Sequence, residues 1–145
     1  MNQKLRNLGF LMKDISRLYV KYFEREAAQH GLSLGHCKAL VTLSRNEGAT
    51  QKKLAELSET DPMTMVRILD RMEGDGLIER RADPSDRRAY RLHLKAAARP
   101  VLEEIFRVGD RARAEVLAGL SSEERMQLIE LLERMHANLT ALASK

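Results

Sequence analysis

A single cysteine, Cys37, stands in the 145 residues, so no disulfide can form within the chain; that suits a reducing compartment. Tryptophan is absent and aromatics make up only 4%, so a core has to be aliphatic, with the seven methionines filling its gaps. No run of about 18 apolar residues occurs, which excludes a transmembrane helix. The opening stretch MNQKLRNLGFLMKDISRLYV brings in polar and acidic residues too early for a signal peptide. A cytoplasmic protein is expected. A phosphate-cradling glycine loop, a nucleophile elbow and an HExxH pair are all missing, so no catalytic residue stands out and no cofactor is expected. His30, His36, His93 and His136 do not cluster with Cys37 at ligand spacing, and His36 and Cys37, adjacent on a helix, point apart. A metal site is not expected.

What is present favours helices and an acidic partner. The chain is 43% hydrophobic and 32% charged, enough to bury a core, and it carries a net charge of +4. From residue 4 to 29, Leu5, Leu8, Leu11, Met12, Ile15, Leu18, Tyr19, Tyr22 and Phe23 recur in steps of three and four, one apolar stripe on a long helix that Gly31 stops. A second helix, over residues 32–48, has Ser33 as cap, Gly48 as stop and an apolar set of Leu34, Cys37, Leu40, Val41 and Leu43. Thr50 caps a short third helix whose Leu54, Ala55 and Leu57 face inward. Thr60 or Asp61 caps a fourth, with Pro62 in its first turn, Met65, Ile68, Leu69 and Met72 on its buried side, and Gly74 and Gly76 at its end.

The period then changes. LIERR from Leu77 and AYRLHL from Ala89 are short β-prone runs, the second alternating Tyr90, Leu92 and Leu94 against Arg91 and His93. They predict a hairpin with D-P-S-D-R-R at its tip. After Lys95 helix returns, with Pro100 in its first turn and a stripe from Val101 to Leu120. Ser121 and Glu124 then form a capping box that opens a last helix, on which Met126, Ile129, Leu132, Met135, Leu139 and Leu142 make nearly a heptad seam. The first and last helices have too little core of their own to cover. Both stripes point to a partner helix, most simply a second copy of the chain.

Two short helices in tight succession, the second capped and polar outside, form a helix-turn-helix whose second helix enters the major groove. Met63, Thr64, Arg67 and Arg71 occupy its outer positions. Its free N–H groups suit a phosphate, and an arginine at 67 can donate twice to guanine. Beyond it lies RRADPSDRRAYR, with five arginines in twelve residues (Arg80, Arg81, Arg87, Arg88 and Arg91) and Asp83 and Asp86 among them. A narrow minor groove attracts an inserted arginine, and Asp86 has the spacing to hold the Arg88 guanidinium. A solvated turn is the plain alternative.

Residues 60–89, T-D-P-M-T-M-V-R-I-L-D-R-M-E-G-D-G-L-I-E-R-R-A-D-P-S-D-R-R-A, resemble the MarR family of bacterial transcription regulators, and its SlyA-like members most. The resemblance rests on Asp70-Arg71-Met72-Glu73, on Gly76-Leu77-Ile78 with Arg80 or Arg81, and on Asp83-Pro84-Ser85-Asp86-Arg87-Arg88; it extends upstream to LSLGHCKAL and QKKLAE. It implies a mainly α fold with a small β-hairpin wing: one winged helix-turn-helix domain over 1–145, with residues 32–95 as the DNA-binding lobe and 1–31 and 96–145 as dimerisation helices. It implies a homodimeric regulator, a repressor, on a palindromic operator in double-stranded DNA, associated with the nucleoid when bound. Arg88 would enter the minor groove with Asp86 as its brace, Arg67 would face the major groove, and Thr64 with Ser58 or Thr60 would serve phosphates or bases. Arg80, Arg81 and Arg87 complete the expected contacts. A small effector would enter a crevice near Leu11, Ile15, His36, Cys37 and Leu40.

Two departures stand out. The family's L-T-x-x-G after the second strand is here Leu94-Lys95-Ala96-Ala97-Ala98, so the helix that follows lacks its threonine cap. A bulky aromatic common in the family is replaced by Cys37, which would enlarge the crevice and change ligand choice. Cys37 itself reads as a packed thiol. The rival class is a winged-helix module for protein partners, which the arginines of the wing and Arg67 disfavour.

Overall fold

The computed structural model describes all of residues 1–145. Seven helices and one antiparallel hairpin follow in the order α1 (Gln3–Arg6), α2 (Leu8–Ala28), α3 (Leu34–Arg45), α4 (Gln51–Leu57), α5 (Pro62–Gly74), β1 (Ile78–Asp83), β2 (Asp86–Leu94), α6 (Ala98–Val116) and α7 (Ser122–Ala143). None is long and apolar enough to cross a membrane. The chain divides into two compact units, Met1–Ala112 and Arg113–Lys145.

In the first unit the expected caps do their work. Ser33 Oγ accepts the His36 N–H, Thr50 Oγ1 that of Lys53, and Asp61 Oδ2 that of Thr64, so each of α3, α4 and α5 starts with one of its orphan donors satisfied. Asp61, not Thr60, is the cap of α5, and Pro62 takes the first helical position. Between α4 and α5 the chain turns through Glu59 at φ +50°, a left-handed conformation uncommon for a residue with a Cβ. Gly76, at φ +75°, takes the same role more cheaply between α5 and β1.

One apolar cluster holds these elements together. Cys37, Leu40 and Leu43 from α3, Leu54 from α4, Met65, Ile68, Leu69 and Met72 from α5, Ile78 and Leu92 from the hairpin, and Ile105 and Val108 from α6 are all buried in it. All four positions expected on the inner side of α5 are there. Leu57 is not; it is 43% exposed, because the helix ends at that turn and leaves it beyond the reach of α5. Tyr90 is also out, because the hairpin projects past the core and only Leu92 of its alternating residues is fully covered.

The long first helix differs from expectation in two ways. It breaks at Asn7, which caps α1 and precedes α2. Its stripe is also uncovered: Leu8, Leu11, Met12, Ile15 and Leu18 are exposed, and Ala27 alone in α2 is buried. α6 begins at Ala98 on backbone bonds alone, from the Ala98 N–H to the Lys95 carbonyl and from Arg99 to Ala96, where a threonine would otherwise cap it.

The second unit is the end of α6, a turn through Gly119 at φ +84°, and α7. The Arg125 guanidinium closes the turn by donating to the carbonyls of Leu117 and Leu120, each at 3.1 Å. The Ser121–Glu124 capping box is complete in both directions, at 3.1 and 3.0 Å. Ser121→Ala is expected to cost about 1 kcal/mol, read as a lower midpoint in urea unfolding. No residue of α7 is buried, and Met126, Ile129, Leu132, Leu139 and Leu142 all face out.

Candidate nucleic-acid interface

The exposed face of α5 carries Met63, Thr64 and Arg67, while Met65, Ile68 and Leu69 anchor the other side. This follows from the spacing of the apolar positions, which turns residues 63, 64 and 67 outward. Arg67 makes no ion pair and no hydrogen bond, and it acts on Asp61 only through its charge. Thr64 is less free, because its hydroxyl donates to Asp61 Oδ2 at 2.9 Å. The Thr64 N–H and then the Thr64 hydroxyl hold the Asp61 carboxyl below its ordinary pKa. A carboxylate thus already occupies the start of α5, contrary to the expectation of free N–H groups waiting there for a phosphate.

Ser58 also departs from its expected place. It is 3% exposed, and its hydroxyl bonds back to the Leu54 carbonyl at 2.6 Å, so it completes α4 and has no reach to solvent. Thr60, half-buried, donates to the Ser58 carbonyl at 3.2 Å.

The hairpin sorts the arginines. Its two strands pair in regular register from Ile78↔Leu94 to Ala82↔Tyr90; the register then shifts to Asp83↔Asp86, leaving residues 87–89 without a cross-strand partner and Pro84 and Ser85 between the paired ends. The turn is therefore shorter than the expected D-P-S-D-R-R tip, and Arg87 and Arg88 belong to β2. Pro84 presets one backbone angle, and the Asp83 carboxylate accepts both the N–H and the hydroxyl of Ser85, at 2.9 and 2.8 Å. These two bonds, the N–H first, and then Arg91 lower the Asp83 pKa. Asp86 acts differently from the brace foreseen for it. Its Oδ1 accepts the backbone N–H of Arg88 at 2.9 Å and does not hold the guanidinium, so it fixes where the side chain leaves the strand.

Arg87 and Arg88 are exposed, and neither side chain has a partner. The other wing arginines are occupied. Arg80 is only 15% exposed at its side chain and lies 2.8 Å from Asp70 and 3.2 Å from Glu73, with Gln51 accepting from its Nε at 3.3 Å. It ties β1 to α5 and α4 and is not available as a phosphate contact. Arg81 is paired with Glu79 on its own strand. Arg91 lies 3.2 Å from Asp83. Arg71 faces Asp75 at 4.0 Å, at the far end of α5 from Met63.

Arg71 and Asp75 instead help to line a cavity of about 370 Å³, together with His36, Leu40, Leu77 and Val101. His36 Nδ1 meets the Ser33 hydroxyl, and its buried Nε2 has no partner. Burial first, and then the Arg71 charge, lower the His36 pKa and favour the neutral ring. Of the residues expected around an effector, His36 and Leu40 line this cavity. Leu11 and Ile15 do not; they stand 58% and 48% exposed on α2. Cys37 is 2% exposed and points into the core, where burial pushes its thiol up to about 11. It is a packed thiol with little thiolate to react.

Comparison with known proteins bears on this arrangement. The model of the MarR family matches residues 32–90, from the first turn before α3 to the middle of β2. A probable transcriptional regulator from Pseudomonas aeruginosa is 31% identical, over 88% of this chain and 95% of its own, with a TM-score of 0.70. Two more distant structures share the fold. A mutant MarR from E. coli, complexed with operator DNA, is 21% identical over 91% of this chain and 95% of its own, at a TM-score of 0.74. Bordetella bronchiseptica BpsR, studied for regulation of its DNA binding by 6-hydroxynicotinic acid, is 21% identical over 90% and 98%, also at 0.74. With the recognition helix, the wing and the D-P-S-D-R-R segment in their places, the chain belongs to the MarR family.

Proposed function

We propose that the protein is a homodimeric, sequence-specific regulator of transcription that binds a palindromic operator in double-stranded DNA and acts as a repressor in the cytoplasm. The observation that carries this reading is the sorting of the arginines. Arg67 on α5 and Arg87 and Arg88 on β2 are exposed and unpaired, while Arg80, Arg81 and Arg91 are held by carboxylates. A surface that keeps only some of its cations free offers them to phosphate or to base edges. Arg67 suits guanine in the major groove, and Arg88 suits the minor groove. The E. coli relative of the same fold is complexed with operator DNA, which supports DNA as the partner.

Dimerisation accounts for the uncovered stripes of α2 and α7. A two-fold pair would set its recognition helices about one turn of DNA apart, hence a palindrome. A small effector fits the cavity beside His36 and Arg71. The regulation of BpsR by 6-hydroxynicotinic acid supports such control. The effector can act only by binding better to the dimer shape that does not fit the operator.

Selection of bound sequences from random DNA tests the reading. A palindromic consensus is expected, with non-specific binding that weakens steeply with salt. No saturable preference for any duplex would overturn it in favour of a protein-binding module. Arg88→Ala is expected to weaken binding to the selected duplex and to lower the slope of log affinity against log salt by about one, while the dimer stays intact in sedimentation. Unchanged affinity would remove the wing from the interface.

A further inference from the structure

We infer that Arg91 is a positioning residue for the wing and not a phosphate contact. It latches the turn of the hairpin to the loop before α4. The inference rests on the DNA-binding reading above for its consequence, but the latch itself is a matter of geometry.

The loop Glu47–Thr50 runs beside β2 as a partial third strand. The Gly48 N–H donates to the Leu92 carbonyl at 2.8 Å, the Leu92 N–H donates to the Ala49 carbonyl at 2.9 Å, and Thr50 bridges to Arg91. The Glu47 carboxylate accepts the Leu94 N–H at 3.1 Å. These bonds fasten only the base of the hairpin. Beyond Arg91 only Ala82↔Tyr90 and Asp83↔Asp86 pair, with a register shift between them, and residues 84–88 are exposed. A two-stranded ribbon in water is marginal by itself.

The Arg91 side chain spans that gap. Its Nη1 donates to the Gly48 carbonyl at 3.0 Å, and its Nε lies 3.2 Å from Asp83 Oδ2. The other oxygen of Asp83 holds the Ser85 N–H and hydroxyl. The chain of contacts therefore runs from the loop before α4, the first helix of the helix-turn-helix, through Arg91 and Asp83, to the turn itself. The turn in turn fixes Asp86, which holds the Arg88 backbone. Asp83 is 8% exposed although it lies beside an open turn, as an acid enclosed by its own partners would be. A guanidinium suits this task because its planar donors reach a carboxylate and a carbonyl at once.

The test has two arms. Without DNA, amide hydrogen exchange is measured on wild type, Arg91→Lys, Arg91→Gln and Asp83→Asn. Faster exchange at Ser85 and Arg88, with α5 amides and thermal midpoint unchanged, is expected in Arg91→Gln and Asp83→Asn, and a smaller rise in Arg91→Lys. Unchanged exchange at both amides would overturn the latch, whatever DNA does. With a duplex selected by the wild type, Arg91→Gln and Asp83→Asn should each lower affinity about tenfold. They should leave the salt slope unchanged, and the double variant should be no weaker than either alone. A slope lower by about one in Arg91→Gln, or additive losses, would make Arg91 a phosphate contact and overturn the inference. Absence of any wild-type duplex preference would fail the DNA-binding reading alone, leaving the exchange arm to decide the latch.

Discussion

The Leu139→Glu variant is expected to sediment as a monomer and to lose more than about a hundredfold in operator affinity. Leu139 is 60% exposed on α7, so a carboxylate there costs the isolated chain little. No residue of α7 is buried. In a dimer that covers the α7 stripe, the same carboxylate would lie unpaired against leucines and isoleucines, at a cost of several kcal/mol. Two half-sites then act separately, and joint engagement, worth on the order of 10²–10⁴ in avidity, is lost. Circular dichroism should show the helices retained. A variant that still sediments as a dimer would move the interface away from α7.

The second large effect concerns which bases are read. Arg67→Ala should remove the preference at one base pair in each half-site, a loss of roughly 1–3 kcal/mol of discrimination. A repeated selection would show that position flattened while the rest of the palindrome remains. This differs in kind from Arg88→Ala, which should weaken binding while leaving the base preference read by α5 in place. The argument depends on Arg67 being unpaired. An arginine already neutralised by a carboxylate would have to give up that partner first, as Arg80 would with Asp70 and Glu73. A consensus unchanged in Arg67→Ala would mean that α5 meets the DNA through other residues.

Much of this could be read before the structure, and for identifiable reasons. The caps at Ser33, Thr50, Asp61 and Ser121 are local chemistry, decided within four residues, and sequence shows such things directly. The buried side of α5 follows from its period. Long-range pairings were not legible. Gln51 and Arg80 are 29 residues apart, and Gly48 and Arg91 are 43 apart. Nothing in the spacing says that these arginines are occupied while Arg87 and Arg88 are free. Ser58 was misplaced because a hydroxyl at a helix end can face a partner or bond back to the preceding turn, and the two look alike in sequence. Asp86 was given the right neighbour but the wrong atom, since an aspartate two residues before an arginine can reach its amide as readily as its guanidinium. Of the residues expected around an effector, Cys37 was the hardest to place, because which face of α3 its thiol takes is set by the packing of α5 and the hairpin.

The register shift near the tip carries a consequence for how such a wing can change in evolution. Arg87, Arg88 and Ala89 stand opposite the single step from Ala82 to Asp83 and have no cross-strand partner. In a regularly paired ribbon, one added residue would move every following side chain to the other face. A bulge absorbs such a change, because its extra residues already lie outside the ladder. Residues gained or lost in this segment therefore leave the pairs from Ile78↔Leu94 to Ala82↔Tyr90 in register, so homologous wings can re-aim their tip arginine while the base stays fixed.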